Sequence, residues 1–511
     1  MSSAKQKREA RCKRQIERRL SRRNRRAQLE PMFGGRNLHY EWSDRVQGLG
    51  VGGIGAMHLL VRRTGLPQAI DANLRLLKVH QPYHESDHVL NIAYNILCGG
   101  KTLEDLEQLR HDVVYQNALG ARMIPDPTTA GDFARRFAEP DVETLMTAID
   151  QVRVKVWQQQ PAAFFDEAII EADGTLAPTT GERKAGMEIS YNGVWGYHPL
   201  VVTLANTGEP LYLVNRSGNR PSHEGAAERF DQAIALCRQA GFRSVLLRGD
   251  TDFSSTQHLD RWDAQGVRFV FGIDAMPNLV ALAAGLSAPA WQRLQRPAKY
   301  TVQTQARSRR ENVKEQVVIE RGFRNIRLEC EDVAEFRYQP GACQRAYRVV
   351  VVRKNLSVHK GEHALFDDIR YFFYITNDTG HTAAELVLLA NDRCNQENLI
   401  EQLKNGVHAL RMPVGTLVSN WAYMVMASLA WTLKAWFALL LPETGRWAAQ
   451  YRTEKRTVLR MEFRRFQRTF IAMPCQIIRS GRRIVYRLLA WNPWQRVFLR
   501  GVAALGRPLR C

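Results

Sequence analysis

The chain of 511 residues is long enough for two to four domains and at least one large buried core, which excludes a small scaffold held by disulfides. Hydrophobic residues make up 45% and charged residues 24% of the chain, so a disordered or fibrous protein is excluded as well. The net charge of +21 predicts a polyanionic partner such as nucleic acid, whose counterions a surplus of this size would release.

The positive charge is concentrated at the two ends of the chain. The first 30 residues carry 12 Lys/Arg against 3 Asp/Glu, and residues 451–511 carry 15 against 2, so the body between them is nearly neutral. This distribution predicts a catalytic body held on DNA by basic ends, with Arg22 and Arg23 of the N-terminal arm among the DNA contacts. A solubilising tail, or one that binds a membrane surface, is the alternative.

Compartment signals point to the cytoplasm. The eight cysteines are scattered without a Cys-x-x-Cys pair, which predicts reduced thiols, and no apolar run follows the basic N-terminus as a signal peptide would require. The apolar segment from Trp421 to Leu441 is long enough to cross a bilayer, but Lys434 interrupts it and no second span exists. We therefore expect a buried core helix and no membrane association.

Residues 50–150 show helical periodicity. Three short helices are predicted, with Gly99-Gly100 ending the first, Thr102 capping the second, and Thr128 or Thr129 capping the third after Pro127. Tight turns between short helices suit a helix-turn-helix DNA-binding module. Its last helix would present Arg135 and Arg136 to DNA, although a helical bundle that braces a catalytic domain fits the same pattern.

The pattern changes to strands near residue 164. Strand segments with turn signals at Gly174, Asn192-Gly193 and Thr207-Gly208 are followed by alternating helices and strands, which predicts an α/β fold with a mixed sheet flanked by helices. Residues 276–365 lack a helical period and are predicted to be a β-rich insertion. A strand near 371–378 and a long helical stretch from about 383 to 406 follow.

Three acidic residues lie where such a sheet would bring them together. Asp173 ends the first strand, Asp250 ends a later strand, and Glu397 lies on the long helix. Cleavage of phosphodiesters uses this residue type because two divalent ions, bound by oxygen ligands, hold the attacking and leaving oxygens. We therefore predict that Asp173, Asp250 and Glu397 are catalytic and ligate metal.

The predicted helix adds two cations. On a continuous helix Arg393, Glu397 and Lys404 would share one narrow face, with Leu399, Ile400 and Leu403 on the opposite side. A metal ligand beside two cations suits a site that holds a DNA backbone, so Arg393 and Lys404 are predicted DNA contacts. An ordinary surface ion pair would show the same Arg-x3-Glu spacing.

Taken in order, these residues resemble a known family. The Asp-Gly-Thr from Asp173, the Gly-Tyr-His-Pro-Leu at 196–200, the Arg-Gly-Asp ending at Asp250, and the Arg-x3-Glu-x6-Lys of the helix look like bacterial insertion-sequence DDE transposases. The group numbered thirteen-eighty, of the Tyr-x2-Arg-x3-Glu-x6-Lys signature class, is the most similar over residues 50–490. The resemblance implies an RNase H-like catalytic fold, dependence on two Mg²⁺ ions with Mn²⁺ able to substitute, and action on terminal inverted repeats of double-stranded DNA. It also implies a homodimer in the synaptic complex and a cytoplasmic, nucleoid-associated location.

With this resemblance the predicted organisation has six parts. They are a basic arm at 1–30, a helical DNA-binding module at 31–150, the first part of an RNase H-like catalytic domain at 151–275, a β-rich insertion at 276–365, the second part of the catalytic domain at 366–445, and a basic C-terminal region at 446–511.

The chain departs from the signature at one position. Ala390 stands where the signature tyrosine would fall, which puts the positioning of the DNA strand in doubt but removes no metal ligand. Asp252 competes with Asp250 for the second acid and Glu401 with Glu397 for the third. We favour Asp250 because it directly ends the apolar run, and Glu397 because it has the signature spacing to both cations.

Other candidate residues have weaker support. Trp291 is a predicted DNA contact that would stack on a flipped base, as the resemblance suggests for hairpin-forming members, although a buried Trp is the more common case. His198 is expected to pack within a turn. Asp166, Glu167 and Glu171 are expected to be solvated or structural.

Two other functions use some of the same residues. A glycoside hydrolase would also place carboxylates at strand ends, but it leaves the basic ends and the two cations beside Glu397 unexplained. A non-catalytic, domesticated or decayed DNA-binding derivative is the second alternative, and the presence of all three acids argues against decay.

Overall fold

The computed structural model describes residues 46–297, 312–481 and 483–507, with isolated positions between 11 and 40. Contacts between Cα atoms divide the chain into two units. Residues 1–160, 181–185 and 401–511 form the first, called the helical unit, and residues 161–180 and 186–400 form the second, called the sheet unit. Arg22 and Arg23 lie outside the described residues.

The first 160 residues supply one short strand and seven helices among the described positions. These are β1 (Gly48–Leu49), α1 (Ile54–Thr64), α2 (Leu66–Asn73), α3 (Glu85–Leu97), α4 (Leu106–His111), α5 (Val113–Leu119), α6 (Pro127–Arg135) and α7 (Glu139–Trp157).

Residues 161–400 alternate strands with helices. In chain order the elements are β2 (Glu167–Gly174), β3 (Ala177–Pro178), β4 (Glu188–Ile189), β5 (Trp195–Tyr197), β6 (Leu200–Leu204), β7 (Glu209–Val214), α8 (Ala226–Ala240), β8 (Ser244–Gly249), α9 (Leu259–Ala264), β9 (Arg268–Ile273), α10 (Pro277–Ala284), β10 (Gln292–Arg293), α11 (Val313–Glu320), β11 (Arg324–Tyr338), β12 (Tyr347–Lys360), β13 (His363–Thr376), α12 (Ala383–Asn391) and α13 (Cys394–Glu401).

The last part of the chain is again mostly helical. It contains a π-helical turn (Gln402–Gly406), then α14 (Leu417–Leu439), α15 (Ala448–Leu459), α16 (Phe463–Phe466), β14 (Cys475–Ser480), β15 (Arg483–Leu488) and α17 (Gln495–Leu505).

Helix α14 is the centre of the helical unit. Thr416 caps it by accepting the backbone N–H of Ser419, and α1, α3, α6 and α7 all pack against it. It is the one helix in the described part of the chain that is long and apolar enough to cross a membrane, and its apolar window is completely buried inside the unit. The predicted core helix is therefore confirmed, because neighbouring helices cover its apolar surface on every side.

The helices of the N-terminal segment are integrated into this unit. In α3, every residue except Asp87 is buried, which is the pattern of a bundle helix and not of one that lies free on DNA. The cap of α6 is Asp126, which accepts the N–H of Thr129 at 2.8 Å, so the prediction of Thr128 or Thr129 as cap was wrong. Asp126 precedes Pro127, which occupies the first helical turn and leaves the capping role to the residue before it.

One cation is enclosed within α14. Lys434 has no exposed surface; its Nζ donates to the Leu459 carbonyl at 2.8 Å and lies 3.7 Å from the ring centroid of Trp431. Burial lowers the pKa of Lys434 to about 7, because the charged form loses its hydration.

We expect Lys434→Met to stabilise the protein near pH 6.5. The unfolded chain keeps the ordinary lysine pKa, so between pH 7 and about 10.5 it binds more protons than the folded chain, and wild-type stability rises with pH across this window. Methionine has no charged form that must lose its hydration. The free energy of unfolding of the variant should therefore exceed that of the wild type by the order of a few kcal/mol at pH 6.5, and by less at pH 9. Thermal unfolding at both pH values measures it. A variant less stable than wild type at pH 6.5 would show that the Leu459 and Trp431 contacts outweigh desolvation.

A mixed sheet of nine strands organises the sheet unit. The strand order is β10-β11-β12-β13-β9-β8-β2-β6-β7, with β2, β8 and β9 parallel to one another and every other neighbouring pair antiparallel. The parallel strands are nearly continuous runs of buried residues, as expected for strands covered on both faces. Helix α12 packs on the sheet through Leu386, Val387 and Ala390.

The predicted insertion joins this sheet. Strands β11, β12 and β13 extend it directly, since β13 pairs with β9 through Phe373–Thr376, so residue 365, the predicted boundary, falls inside β13. Besides these strands, the segment predicted to be β-rich contains two short helices, α10 and α11. Residues 401–445, predicted to belong to the catalytic domain, group by contacts with the helical unit. The sequence pattern predicts where strands begin and end, but it does not predict which strands pair with each other.

Candidate active site

Strands β2 and β8 bring two of the predicted acids to one level of the sheet. They run parallel with Glu171 opposite Arg248, so Asp173 and Asp250, each two residues further along, follow on the same face where the strands end. Two successive rungs therefore share this face, an inner rung of Glu171 and Arg248 and an outer rung of Asp173 and Asp250. The sequence prediction placed both aspartates at strand ends, and the structure brings them together.

The outer rung holds negative charge in a partly buried position. Burial, and then the nearby charge of Asp250, raise the pKa of Asp173 to about 7. Burial also raises the pKa of Asp250, an effect that the Arg393 guanidinium opposes. Because both carboxylates are harder to ionise than usual, a cation bound beside them would stabilise their ionised forms.

The inner rung is a buried ion pair that the sequence did not reveal. Arg248 Nε donates to Glu171 Oε1 at 2.6 Å, and Arg248 Nη1 donates to the Leu389 carbonyl at the end of α12 at 2.6 Å. Both side chains are at most 3% exposed, and burial raises the pKa of Glu171 to about 7 despite the Arg248 charge. Glu171 is thus structural and not solvated. The sequence does show that Glu171 and Arg248 each stand two residues before one of the predicted catalytic aspartates.

We expect Arg248→Met to destabilise the protein by about 3–5 kcal/mol, because it leaves the Glu171 carboxylate buried without its partner and frees the Leu389 carbonyl. Thermal or urea unfolding measures the change. The matched control is Arg243→Met, which breaks the ion pair of Arg243 with Asp166, whose side chains are 65% and 61% exposed, and should have a much smaller effect. Equal effects of the two variants would contradict a special role for the buried pair.

Two residues connect the helical segment to the sheet beside the aspartates. Arg393 Nη1 contacts Asp250 Oδ2 at 3.3 Å, and the Gln396 side chain, which is buried, donates to the Val201 carbonyl of β6 at 3.0 Å. Glu397 follows directly, is exposed, and lies close enough for its charge to raise the pKa of Asp173 further. The structure therefore gathers Asp173, Asp250, Arg393 and Glu397 at one end of the sheet unit. Gln396 was not predicted, since a glutamine carries no signature.

The continuous α-helix predicted to carry Arg393, Glu397 and Lys404 was wrong. Helix α12 ends at Asn391, Arg393 lies in the turn before α13, and Lys404 lies in the π-helical turn of the helical unit. A π turn has more residues per turn than an α-helix, so the 100° spacing fails before it reaches Lys404. Glu401, the competitor for the third acid, accepts a hydrogen bond from Asn405 Nδ2 at 2.7 Å.

The donor chemistry of the outer rung fits a hard divalent cation. Asp173 and Asp250 offer neighbouring carboxylate oxygens, the ligands that Mg²⁺ prefers, and their mutual repulsion would be relieved by a cation. Within the described ranges no group of three or more His, Cys, Asp or Glu side chains is already arranged to hold a metal. The pair alone offers two of the three acidic side chains predicted from the sequence to hold a metal, and Glu397 is exposed nearby.

Comparison with known proteins identifies the family. The model of the transposase DDE domain group 1 family matches residues 50–509. The chain belongs to this family of DDE transposases. No curated protein matches significantly. Among solved structures, the cryo-EM piggyBac transposase synaptic complex with hairpin DNA is similar, with 9% identity, coverage of 82% of this chain and 81% of that chain, and a TM-score of 0.33.

The predicted DNA contacts of this DDE transposase lie in different surroundings. Arg135 forms an exposed ion pair with Asp132, whereas Arg136 lines a groove of about 550 Å³ in the helical unit together with Lys78. Trp291 is partly exposed, with the Arg353 guanidinium 4.1 Å from its ring centroid. The same groove is also lined by Asp132, the ion-pair partner of Arg135.

Residues around the site explain two features of the sequence. Ala390 is buried against Leu246 and Val270 of the sheet, so a tyrosine at this position would have to enter the core. His198 is buried, with Nδ1 2.7 Å from the Arg220 carbonyl. A Cβ on Gly174 would lie 2.8 Å from His198 Nε2, so glycine after Asp173 allows this close packing.

Asp252 occupies a different position from Asp250. It is exposed in the turn that follows β8, and its backbone N–H donates to Asp250 Oδ1 at 3.1 Å. Asp250, which is only partly exposed and contacts Arg393, is the residue on the same rung as Asp173.

Proposed function

We propose that this DDE transposase cleaves DNA at the terminal inverted repeats of an insertion sequence and joins the ends to a target by a cut-and-paste mechanism. Asp173, Asp250 and Glu397 are the proposed catalytic residues. The observation that supports this most strongly is the outer rung, where two aspartates end adjacent parallel strands and the pKa of each is raised. Perturbed acids brought together from distant parts of a chain are characteristic of functional sites.

The proposed cofactor is a pair of Mg²⁺ ions, for which Mn²⁺ can substitute, held by the same three acids. Such ions, when bound, stabilise the charge that develops on the attacking and leaving oxygens of a phosphodiester. The chain itself positions the acids: the Glu171–Arg248 pair ties β2 and β8 to the end of α12, and Gln396 ties α13 to β6.

The catalytic fold is proposed to be RNase H-like, comprising strands β7-β6-β2-β8-β9. The order, with antiparallel pairs on one side of β2 and parallel pairs on the other, supports this assignment. Strands β10–β13 then form the insertion.

Double-stranded DNA is the proposed substrate. Arg393 and Lys404 are proposed to contact the strand at the active site, Trp291 a base, and Arg135 and Arg136 the DNA near its end. Within the helical unit the Lys78 and Arg136 groove supports the last assignment. Arg22 and Arg23 are proposed to neutralise phosphates from the arm.

Deletion of residues 1–30 should weaken binding to all DNA sequences about equally and make its salt dependence shallower. The arm carries 12 Lys/Arg against 3 Asp/Glu, and such cations neutralise phosphates without reading bases. Binding titrations at several salt concentrations, with inverted-repeat and unrelated DNA, measure both effects. Selective loss of binding to the inverted repeat would show instead that the arm reads a groove.

The source is proposed to be a bacterial insertion sequence of the thirteen-eighty group. The protein is expected to act in the cytoplasm at the nucleoid, as a homodimer that holds two element ends, without membrane association.

Incubation of the full-length protein with labelled DNA that carries the flanking inverted repeat tests the proposal. With Mg²⁺ or Mn²⁺, the product should be a strand break at the element end, and a chelator should abolish it. Absence of cleavage with either metal, on DNA that the protein binds specifically, would overturn the catalytic proposal.

A non-catalytic DNA-binding derivative is the alternative that the same assay distinguishes. It is favoured by one observation, that the Arg393 guanidinium already contacts Asp250 and could take the place of a cation. Such a protein would bind the inverted repeat and leave it intact.

A further inference from the structure

Strand β13 has one edge without a partner strand over half of its length. It pairs with β12 throughout, but β9 covers its other edge only from Phe373 to Thr376. Between the irregularity at Leu365 and the start of the pairing with β9 at Phe373, residues 366–372 form a regular ladder with β12, and no strand in the described residues pairs with their other side. In an antiparallel ladder alternate residues direct N–H and C=O outwards, so this edge can accept another strand.

This edge also exposes large apolar side chains. Phe366, Ile369 and Phe372 are between 43% and 52% exposed. Exposed edge strands are usually protected by charges, prolines or short length. Here seven regular residues without proline carry three large apolar side chains alongside Asp367, Asp368 and Arg370, so charge protects the edge only in part and its apolar side chains suit an interaction surface.

The charges on this edge alternate in a way that suits self-pairing. A two-fold axis perpendicular to a continuous sheet relates each face of the sheet to the same face of the second copy. Residues opposite each other must therefore come from the same face, and the axis must pass midway between the two copies of one central residue. The middle of 366–372 is Ile369. Pairing centred there places Asp368 opposite Arg370 of the second copy, and Arg370 opposite its Asp368. Within one chain Arg370 Nε already contacts Asp368 Oδ2 at 3.0 Å, so pairing gives each of these charges a second opposite charge as a neighbour.

Aromatic pairs complete this register. Phe366 falls opposite Phe372, so two symmetric aromatic pairs flank the charged pairs, and cross-strand pairs of both types stabilise sheets. A shift of the centre by one residue places Asp368 against Asp368 or Arg370 against Arg370. Like charges directly opposite destabilise a sheet, so only the Ile369 register combines charge complementarity with apolar contact.

We propose that residues 366–372 of β13 are a self-association surface, at which two copies of this chain pair their edges antiparallel about Ile369 and join their sheets into one. This proposal concerns the contact between two copies of the chain and does not depend on the proposed cleavage of DNA. Charge reciprocity favours a second copy over an unrelated strand, because the one segment supplies both members of each ion pair.

Sedimentation velocity of the full-length protein without DNA, over a range of concentrations, tests this surface. Wild type should form a dimer. Asp368→Arg places arginine opposite Arg370 at two symmetric positions, and Ile369→Lys places two lysines at the axis, so each should weaken the dimer about tenfold or more. The double variant Asp368→Arg with Arg370→Asp restores both opposite-charge pairs and should recover the dimer.

The control is Ile326→Lys, the same substitution on β11, where Ile326 is 44% exposed and is separated from the proposed edge by strand β12. It should leave the dimer unchanged, and thermal unfolding verifies that each variant is folded. A wild type that stays monomeric at every concentration, a double variant as weak as the single Asp368→Arg, or equal effects of Ile326→Lys and Ile369→Lys would each overturn the proposal. Because the measurement contains no DNA or metal, failure of the proposed catalytic function leaves its outcome unaffected.

Discussion

Asp173→Asn should reduce metal-dependent cleavage of the element end about a thousandfold or more, and should also stabilise the metal-free protein. The first effect follows because the substitution removes one of two neighbouring metal ligands, and metal stabilisation of a phosphoryl transition state contributes several kcal/mol. The second follows because the ionised Asp173 is partly buried beside Asp250. DNA binding should persist, since the residue is not a phosphate contact.

The stability effect has a defined pH dependence. The pKa of Asp173 is raised to about 7, so the folded chain holds its proton more tightly than the unfolded chain, and wild-type stability falls as pH rises from about 4 to 7. The advantage of asparagine is therefore greatest above pH 7, of the order of 2 kcal/mol, and smaller at pH 5. Thermal unfolding with chelator at pH 5 and pH 8 measures it.

Asp250→Asn should have the same effect on cleavage, and Asp252→Asn is its control. Asp252 is exposed and contributes only its backbone N–H to the Asp250 carboxylate, so its substitution should leave cleavage nearly intact. If Asp252→Asn abolished cleavage and Asp250→Asn did not, Asp252 would be the second catalytic acid in place of Asp250.

Glu397→Gln should likewise abolish cleavage and strand transfer while DNA binding persists, because it keeps the size of the side chain but removes the charge that a cation requires. Of the two glutamates on this helix, Glu397 is the one whose charge raises the pKa of Asp173. Glu401→Gln is the matched control on the same helix; its carboxylate is occupied by Asn405, and its loss should have only a small effect.

Cleavage assays on the two glutamine variants, at equal DNA occupancy, distinguish the two acids. If Glu401→Gln is inactive and Glu397→Gln is active, the third carboxylate is Glu401 and the signature spacing was misleading. If both are active, neither glutamate is a required metal ligand.

The features that the sequence predicted are those that depend on short stretches of chain. Asp173 and Asp250 could be placed at strand ends because each directly follows an apolar run, and the buried helix could be predicted because only Lys434 interrupts its apolar residues. Features that depend on pairing were not predictable. The Glu171–Arg248 pair requires knowing that β2 and β8 are neighbours, and the contact of Arg393 with Asp250 arises because the expected continuous helix breaks before it.

The composition of the helical unit has a consequence for the order in which the chain folds during synthesis. Helix α3 ends at Leu97, but α14, which covers its apolar side, is complete only at Leu439. At bacterial or eukaryotic translation rates of about 5–20 residues per second, roughly twenty seconds to a minute separates the emergence of the two helices. Residues 186–400 emerge within that interval and can form their own core first. The early helices must therefore remain soluble with their apolar faces uncovered, and a ribosome that stalls before α14 would leave a chain whose completed sheet is attached to helices prone to aggregation.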